Sequence, residues 1–201
     1  MDYYKIEEHP FGSYIPQNAK ILIIGTFPTH NRNLKFDFYY SGKDNLFWGI
    51  IEKVFDHSFS HFEGVLAVEE RKSFLDSKSI GVADMHKLCY RKNNMSTDEN
   101  LHPIILNDIF LILDEYHSIH RIVLTSRTEV YGALGLLKTY FLQNGLELNH
   151  PEKRNDRVLE GTFIYKRRKF KLLVPYSTSP RLLKRNIKMD ELIYMYSQCL
   201  F

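Results

Sequence analysis

Four consecutive aliphatic residues, Ile21-Leu22-Ile23-Ile24, run into Gly25. An unbroken apolar run of that length predicts a strand covered on both faces, as in a parallel sheet. Arg121-Ile-Val-Leu-Thr125 has the same form, and Ile80-Gly-Val-Ala-Asp84 predicts a short strand or strand entry. Helical spacing separates these runs. Phe47, Ile50, Ile51, Val54 and Phe55 share one stripe and predict a helix with Asn45 as a candidate cap. Val65–Asp76, Glu129–Gln143 and about Arg185–Gln198 predict further helices, as does Pro103–Tyr116, with its proline in the first turn. Phe163–Tyr165 and Phe170–Val174 predict strands framing the basic turn Lys166-Arg-Arg-Lys169. Strands alternating with helices predict an α/β fold: a three-layer α/β/α sandwich around a mostly parallel central sheet. Sites in such sheets form outside the carboxyl ends of the strands. The loops leaving Gly25 and Val174 are therefore the places to look for chemistry.

The 201 residues, 44% of them hydrophobic, are enough for one core, so one domain over residues 1–201 is expected. No repeat or low-complexity linker interrupts them. The N-terminal stretch lacks a basic region followed by an apolar one, and no apolar run reaches the roughly 18–20 residues of a membrane span. A soluble, cytoplasmic protein is expected. Cys89 and Cys199 form no CxxC pair, which argues against a structural zinc, an iron–sulfur cluster or a disulfide scaffold. The overall charge of +3 hides an asymmetry. Between Lys153 and Lys188, twelve Lys and Arg face only Asp156 and Glu160, a net +10 that leaves −7 for the rest. That pattern fits either a phosphate-facing surface or a solvated basic hairpin and helix.

The first loop reads Gly25-Thr-Phe-Pro-Thr-His30 and leads to Phe38-Tyr-Tyr-Ser-Gly-Lys-Asp-Asn-Leu-Phe-Trp48. Gly25 permits a sharp turn after which the amides of Thr26 and Phe27 can face a ligand. The aromatic residues offer a stacking surface or simply core, and Asn45 offers a neutral amide or a helix cap. The late loop, Val174-Pro-Tyr-Ser-Thr-Ser-Pro-Arg181, places three hydroxyls between two prolines, either as donors for phosphate oxygens or as a turn. Asp84 either orients a water or closes a strand end. His57 and His61 have metal-compatible spacing but no third ligand, and Ser177 lacks the G-x-S-x-G elbow of a hydrolase nucleophile.

These blocks resemble the uracil-DNA glycosylase superfamily. The GxxP segment with the following YYxxxxNxFW, the middle block Gly81–Arg91 with Asp98 and Leu101 after it, and the PxSTSP loop occur in that family's order from about Ile21 to Arg181. The pattern is most similar to the mismatch-specific uracil/thymine and hypoxanthine-DNA glycosylase branches. The resemblance implies a metal-free, cofactor-free DNA glycosylase that flips a deaminated base, hypoxanthine or uracil, and hydrolyses its N-glycosidic bond. It implies Tyr40 as the stacking platform, Gly25, Thr26 and Phe27 as the base-binding turn, and Asn45 as the catalytic residue placing water. It implies Ser177, Thr178 and Ser179 gripping the DNA backbone with Arg181, and Leu182 as the wedge filling the vacated stack. A monomer with DNA as partner, no membrane association and no obligate protein partner is expected.

One departure stands out. The uracil/thymine branch has a water-holding Asn at the third position of the first motif, where this chain has Phe27. The departure fits the hypoxanthine-type branch, and it also fits a weak or inactive module that only binds DNA or a nucleobase. Discrimination among bases is expected to lie with His30, Asn31, Asn33 and Asp84. An unrelated α/β hydrolase or nucleotide binder is disfavoured by the lack of P-loop and G-x-G-x-x-G motifs.

Overall fold

The computed structural model describes residues 2–30, 33–154 and 157–201, so Asn31 and Asp156 lie outside the described residues. The central sheet has six strands: β2 (Ile21–Gly25), β3 (Ile80–Asp84), β6 (Arg121–Leu124), β7 (Glu152–Lys153), β8 (Leu159–Tyr165) and β9 (Arg168–Val174). Their spatial order is β3-β2-β6-β9-β8-β7. The first four are mutually parallel and the β9-β8-β7 margin is antiparallel. Along β2 the side chains alternate between the faces. Leu22 and Ile24 join one core with helices α3 (Ile109–Glu115) and α4 (Ala133–Gln143). Ile21 and Ile23 join the other with α1 (Phe47–Phe55), α2 (Gly64–Lys78) and α5 (Met189–Leu200). This two-sided burial is why the strand reads as a continuous aliphatic run. The three-layer α/β/α arrangement is as expected.

A second sheet was not expected. Strands β1 (Tyr4–Glu8), β4 (His86–Lys92) and β5 (Leu101–Leu106) form an antiparallel sheet in the order β1-β4-β5. It takes the first four residues, Pro103–Leu106, of the segment predicted as the Pro103–Tyr116 helix. Pro103 sits in β5, at the edge of that sheet, where a missing N–H is tolerated. The helix begins only after Asp108, whose carboxylate accepts from the Leu111 amide at 2.9 Å.

Two more helix starts are late for local reasons. An ideal Cβ at Gly132 would lie 2.3 Å from Ser126 Oγ, so the chain packs against itself there before α4 starts at Ala133. Residues Pro180–Arg185 form a 3-10 turn closed by Asn186 in the left-handed region, and α5 begins at Met189 rather than Arg185. Among the described residues no helix is long and apolar enough to cross a membrane.

Candidate active site

The parallel strands end together at one rim, where Asp84, Gly25, Leu124 and Val174 are their last residues. The chain crosses that rim several times. Gly25 pairs with Asp84 across β2 and β3, and an ideal Cβ on Gly25 would lie 2.2 Å from Asp84 Oδ1 and 3.1 Å from the Tyr40 hydroxyl. Glycine is required here by space, since its backbone is not in the left-handed region. The Gly25 and Thr26 carbonyls accept from the Met85 and His86 amides at 3.0 and 3.1 Å. Carbonyl and N–H of a trans peptide point in opposite directions. The Thr26 and Phe27 amides are therefore turned away from β3, toward the β6 side of the rim.

Tyr40 occupies that side. Its ring stacks on Phe47, with centroids 4.0 Å apart and planes at 23°, and its hydroxyl lies 3.4 Å from Thr125 Oγ1. Burial and the nearby Asp84 carboxylate hold its phenol well above the ordinary tyrosine range. Its backbone has φ 55°, a conformation that costs a bulky residue of order 1–3 kcal/mol. The half-buried ring thus has one face covered, in a strained local geometry that the surroundings enforce. Tyr39, Phe47 and Trp48 are core, and Trp48 Nε1 donates to the Tyr39 carbonyl at 2.9 Å.

Asn45 is half-buried, and its Oδ1 accepts from the Phe47 amide at 2.9 Å. It leads the chain into α1 and keeps one lone pair on that oxygen for another donor. The next residue joins the two loops: the Leu46 amide donates to the Thr178 carbonyl at 3.0 Å. The segment from Tyr40 to Leu46 and the late hydroxyl loop are therefore neighbours, although more than 130 positions separate them in the sequence.

The late loop is held from below. Arg127 Nε donates to the Val174 and Pro175 carbonyls, both at 3.1 Å, and its guanidinium lies 3.9 Å from the centre of the Tyr176 ring. The Tyr196 hydroxyl donates to the Tyr176 carbonyl at 3.1 Å. Ser177 and Ser179 accept from amides within the loop, which leaves their hydroxyl protons as donors. Thr178 differs: at 3% exposure its role is the latch to Leu46 rather than a surface hydroxyl. Leu182 is half-buried against the core, whereas Leu183 beside it is 40% exposed. The exposed apolar tip is thus one residue later than expected. Arg181 is exposed.

The basic run does not form one surface. Lys166 and Arg167 make the β8–β9 hairpin turn, at the end of β9 opposite the rim, and Lys166 pairs with Asp114 at 2.8 Å. Arg168 donates to the Leu113, His117 and Ile119 carbonyls. Arg154 and Lys171 pair with Glu160, and Arg157 pairs with Glu191. The cations of the late loop and the turn after it, Arg181, Lys184, Arg185 and Lys188, remain exposed.

One contributor, His9, carries no local sequence signal, and the partners of Asp84, Asp98 and Phe27 carry none either. His9 Nδ1 faces the Phe11 and Gly12 amides at 3.2 and 3.1 Å, so it is the acceptor and the ring proton sits on Nε2, 3.1 Å from Asp84 Oδ2. Burial pushes the Asp84 carboxyl up, opposed by the N–H groups of His9 and Gly25. Asp98 accepts from Ser126 Oγ at 2.7 Å and from the Thr26 side chain; burial raises it too, and the neighbouring Glu99 and Asp84 charges add to that. The half-buried Phe27 ring packs edge-on to His9 and His86, with the Arg91 guanidinium 5.3 Å from its centre. It faces the small sheet and adds no polar group to the rim. Among the described residues no three His, Cys, Asp or Glu side chains are placed to hold a metal ion.

No family model matches the chain, and no curated protein sequence matches it. Among solved structures, the fold is similar to the solution NMR structure of a "putative Uracil DNA glycosylase" from Methanosarcina acetivorans. The TM-score is 0.60 and the identity 18%, over 98% of this chain and 100% of that one. At that identity the likeness speaks for the fold alone.

Proposed function

We propose that this chain is a monofunctional DNA glycosylase, acting as one domain and as a monomer, that hydrolyses the N-glycosidic bond of a flipped deaminated base, hypoxanthine or uracil. The observation that carries the reading is the convergence at the rim. Tyr40 is backed by Phe47 and anchored beside Gly25 and Thr125, next to a hydroxyl loop latched to the residue after Asn45. A flat base entering from outside stacks on Tyr40 and meets the amides of Thr26 and Phe27, which are turned to the same side of the rim. Ser177, Ser179 and Arg181 take phosphate oxygens, and the exposed Leu183, next to Leu182, takes the vacated place in the stack.

The chemistry asked of the site is modest. Breaking the bond puts positive charge on the sugar and negative charge on the base, and fixed amides answer the latter. A cationic sugar needs a placed water more than a strong base, so the remaining lone pair of Asn45 suffices to orient one. The similarity in fold supports this reading.

The test is base release from duplex oligonucleotides carrying one hypoxanthine or one uracil, read as strand cleavage after alkali. Wild-type protein is expected to cut at the modified base. Asn45→Ala is expected to lose about 100-fold or more in single-turnover rate while still binding the duplex. The Phe27 packing favours a second reading, a module that binds DNA without catalysis. Salt-sensitive binding without release of any deaminated base, at high protein excess, would select it.

A further inference from the structure

We infer that Asp98 is a further catalytic residue of this site, the acid that protonates a departing purine, so that the substrate class is a deaminated purine in DNA. The inference rests on the glycosylase reading above and deepens it.

Position is the first argument. The Tyr40 hydroxyl lies at the level of Gly25 on β2 and Thr125 beyond β6. Asp98 is bonded to the next residue outward on each side, Thr26 and Ser126. Its carboxyl therefore spans the same gap as the Tyr40 hydroxyl, one residue further out, beside the amides turned toward the base. The segment that carries it is fastened across the rim. Ser96 Oγ accepts from Thr29 Oγ1 at 2.8 Å and from the His30 amide at 3.0 Å, and Glu99 feels the positive charge of Arg181 in the late loop. The chain between β4 and β5 is thus a wall of the site, tied to the first loop and adjacent to the last.

Division of labour is the second argument. Asp84, also at this rim, is committed to the His9 Nε2 proton and the Gly25 amide, both of which favour its anion. Among the described residues, the hydrogen-bond partners of Asp98 are hydroxyls, and Glu99 and Asp84 are its acidic neighbours. Burial raises both carboxyls, but the N–H groups at Asp84 can only donate, whereas the Thr26 and Ser126 hydroxyls, which donate to the Asp98 anion, can turn to accept from its protonated form. Among the described rim residues, the Asn45 amide and the Phe27 ring have no proton to transfer, the Tyr40 phenol is held far above neutrality, and Asp84 is enclosed by N–H donors. Purine departure calls for such a donor, because protonation of a ring nitrogen turns the base into a neutral leaving group.

The step balances. The Asp98 carboxyl gives its proton to a ring nitrogen of the purine. The bond from the sugar carbon to the base nitrogen breaks with its electron pair going to the base. The water oriented by Asn45 bonds to that sugar carbon through oxygen, and the proton it sheds restores the Asp98 carboxyl. One water is consumed, and a free base and a sugar hydroxyl are formed.

The test compares single-turnover base release by wild type, Asp98→Asn and Asp98→Glu on hypoxanthine and uracil duplexes across pH, with duplex affinity and thermal unfolding measured alongside. Among the described residues, the charged groups around Asp98 are Asp84 from β3, Glu99 beside it, and Arg181 beyond Glu99. Asp98→Asn is expected to lose about 100-fold or more in hypoxanthine release, with affinity and unfolding unchanged. It is also expected to lose the decline in rate that wild type shows as pH rises, and Asp98→Glu to recover part of the rate. Hypoxanthine release by Asp98→Asn at the wild-type rate would overturn the acid and leave the glycosylase reading standing. Equal losses on both bases would overturn the purine assignment. Absence of release of any base by wild type would overturn both readings.

Discussion

Replacing Gly25 by alanine is the sharpest structural perturbation of the rim. The added Cβ would sit 2.2 Å from Asp84 Oδ1 and 3.1 Å from the Tyr40 hydroxyl. Asp84 cannot simply swing aside. It is 4% exposed, its other oxygen is 3.1 Å from His9 Nε2, and its displacement leaves a buried carboxylate and an imidazole proton without each other. Overpacking a core costs about 1–3 kcal/mol, and losing a buried hydrogen bond to a charged group costs about 1.5–3 kcal/mol. Partial relaxation places the net loss at about 3 kcal/mol, which lowers the melting temperature of a chain this size by about 6–12 °C. The backbone at Gly25 is not left-handed, so none of this loss is torsional. Gly49 is the control: it is exposed within α1, an added Cβ meets nothing within 4 Å, and alanine there gains about 0.5–1 kcal/mol. Combining Gly25→Ala with Asp84→Ser makes room for the methyl, so the double variant should lose less than the two single losses together by about 1 kcal/mol or more. Denaturant and thermal unfolding of wild type, the two single variants, the double variant and the Gly49→Ala control decide the matter. A Gly25→Ala protein melting within about 2 °C of wild type would refute the steric argument.

Two further outcomes follow from the same physics. His86 has no exposed surface and no hydrogen-bond partner for either ring nitrogen among the described residues, and burial lowers its pKa from 6.5 to about 4. The unfolded chain then binds the proton more readily, so stability declines as pH falls from about 6.5 toward about 4, by up to about 3 kcal/mol. Comparing the pH dependence of unfolding for wild type and His86→Leu checks this; parallel curves would contradict it. In the β8–β9 turn, Lys166 and Arg167 have φ of 47° and 65°, the geometry of a two-residue hairpin turn normally built with glycine or asparagine. Arg167→Gly should therefore raise stability by about 1 kcal/mol without touching the rim, and an unfolding midpoint at or below that of wild type would count against it.

The strands buried on both faces were legible because their signal is local. Ile21–Ile24 is an uninterrupted aliphatic run whatever else the chain does, and so is Ile122–Leu124. Helix starts were less legible. Pro103 reads as a first-turn proline until β4 is present to pair with it, and the late starts of α4 and α5 depend on Gly132 meeting Ser126 and on Asn186 turning left-handed. Charge left two readings open for a related reason. Twelve cations close in sequence lie on a hairpin and two loops that diverge in space, and several meet carboxylates or carbonyls far away in the chain.

What the sequence determined by itself is the layered α/β scaffold and the two loops worth examining, because periodicity, glycine and proline act over a few residues. Only tertiary structure decided what surrounds those loops. His9 reaches Asp84 across 75 positions, Asp98 reaches Ser126 across 28, and Arg127 reaches Val174 across 47. Hydrogen bonds of about 3 Å between groups so far apart in the chain leave no periodic trace. They exist because parallel strands bring their carboxyl ends to one edge, where the loops that follow must share the same space.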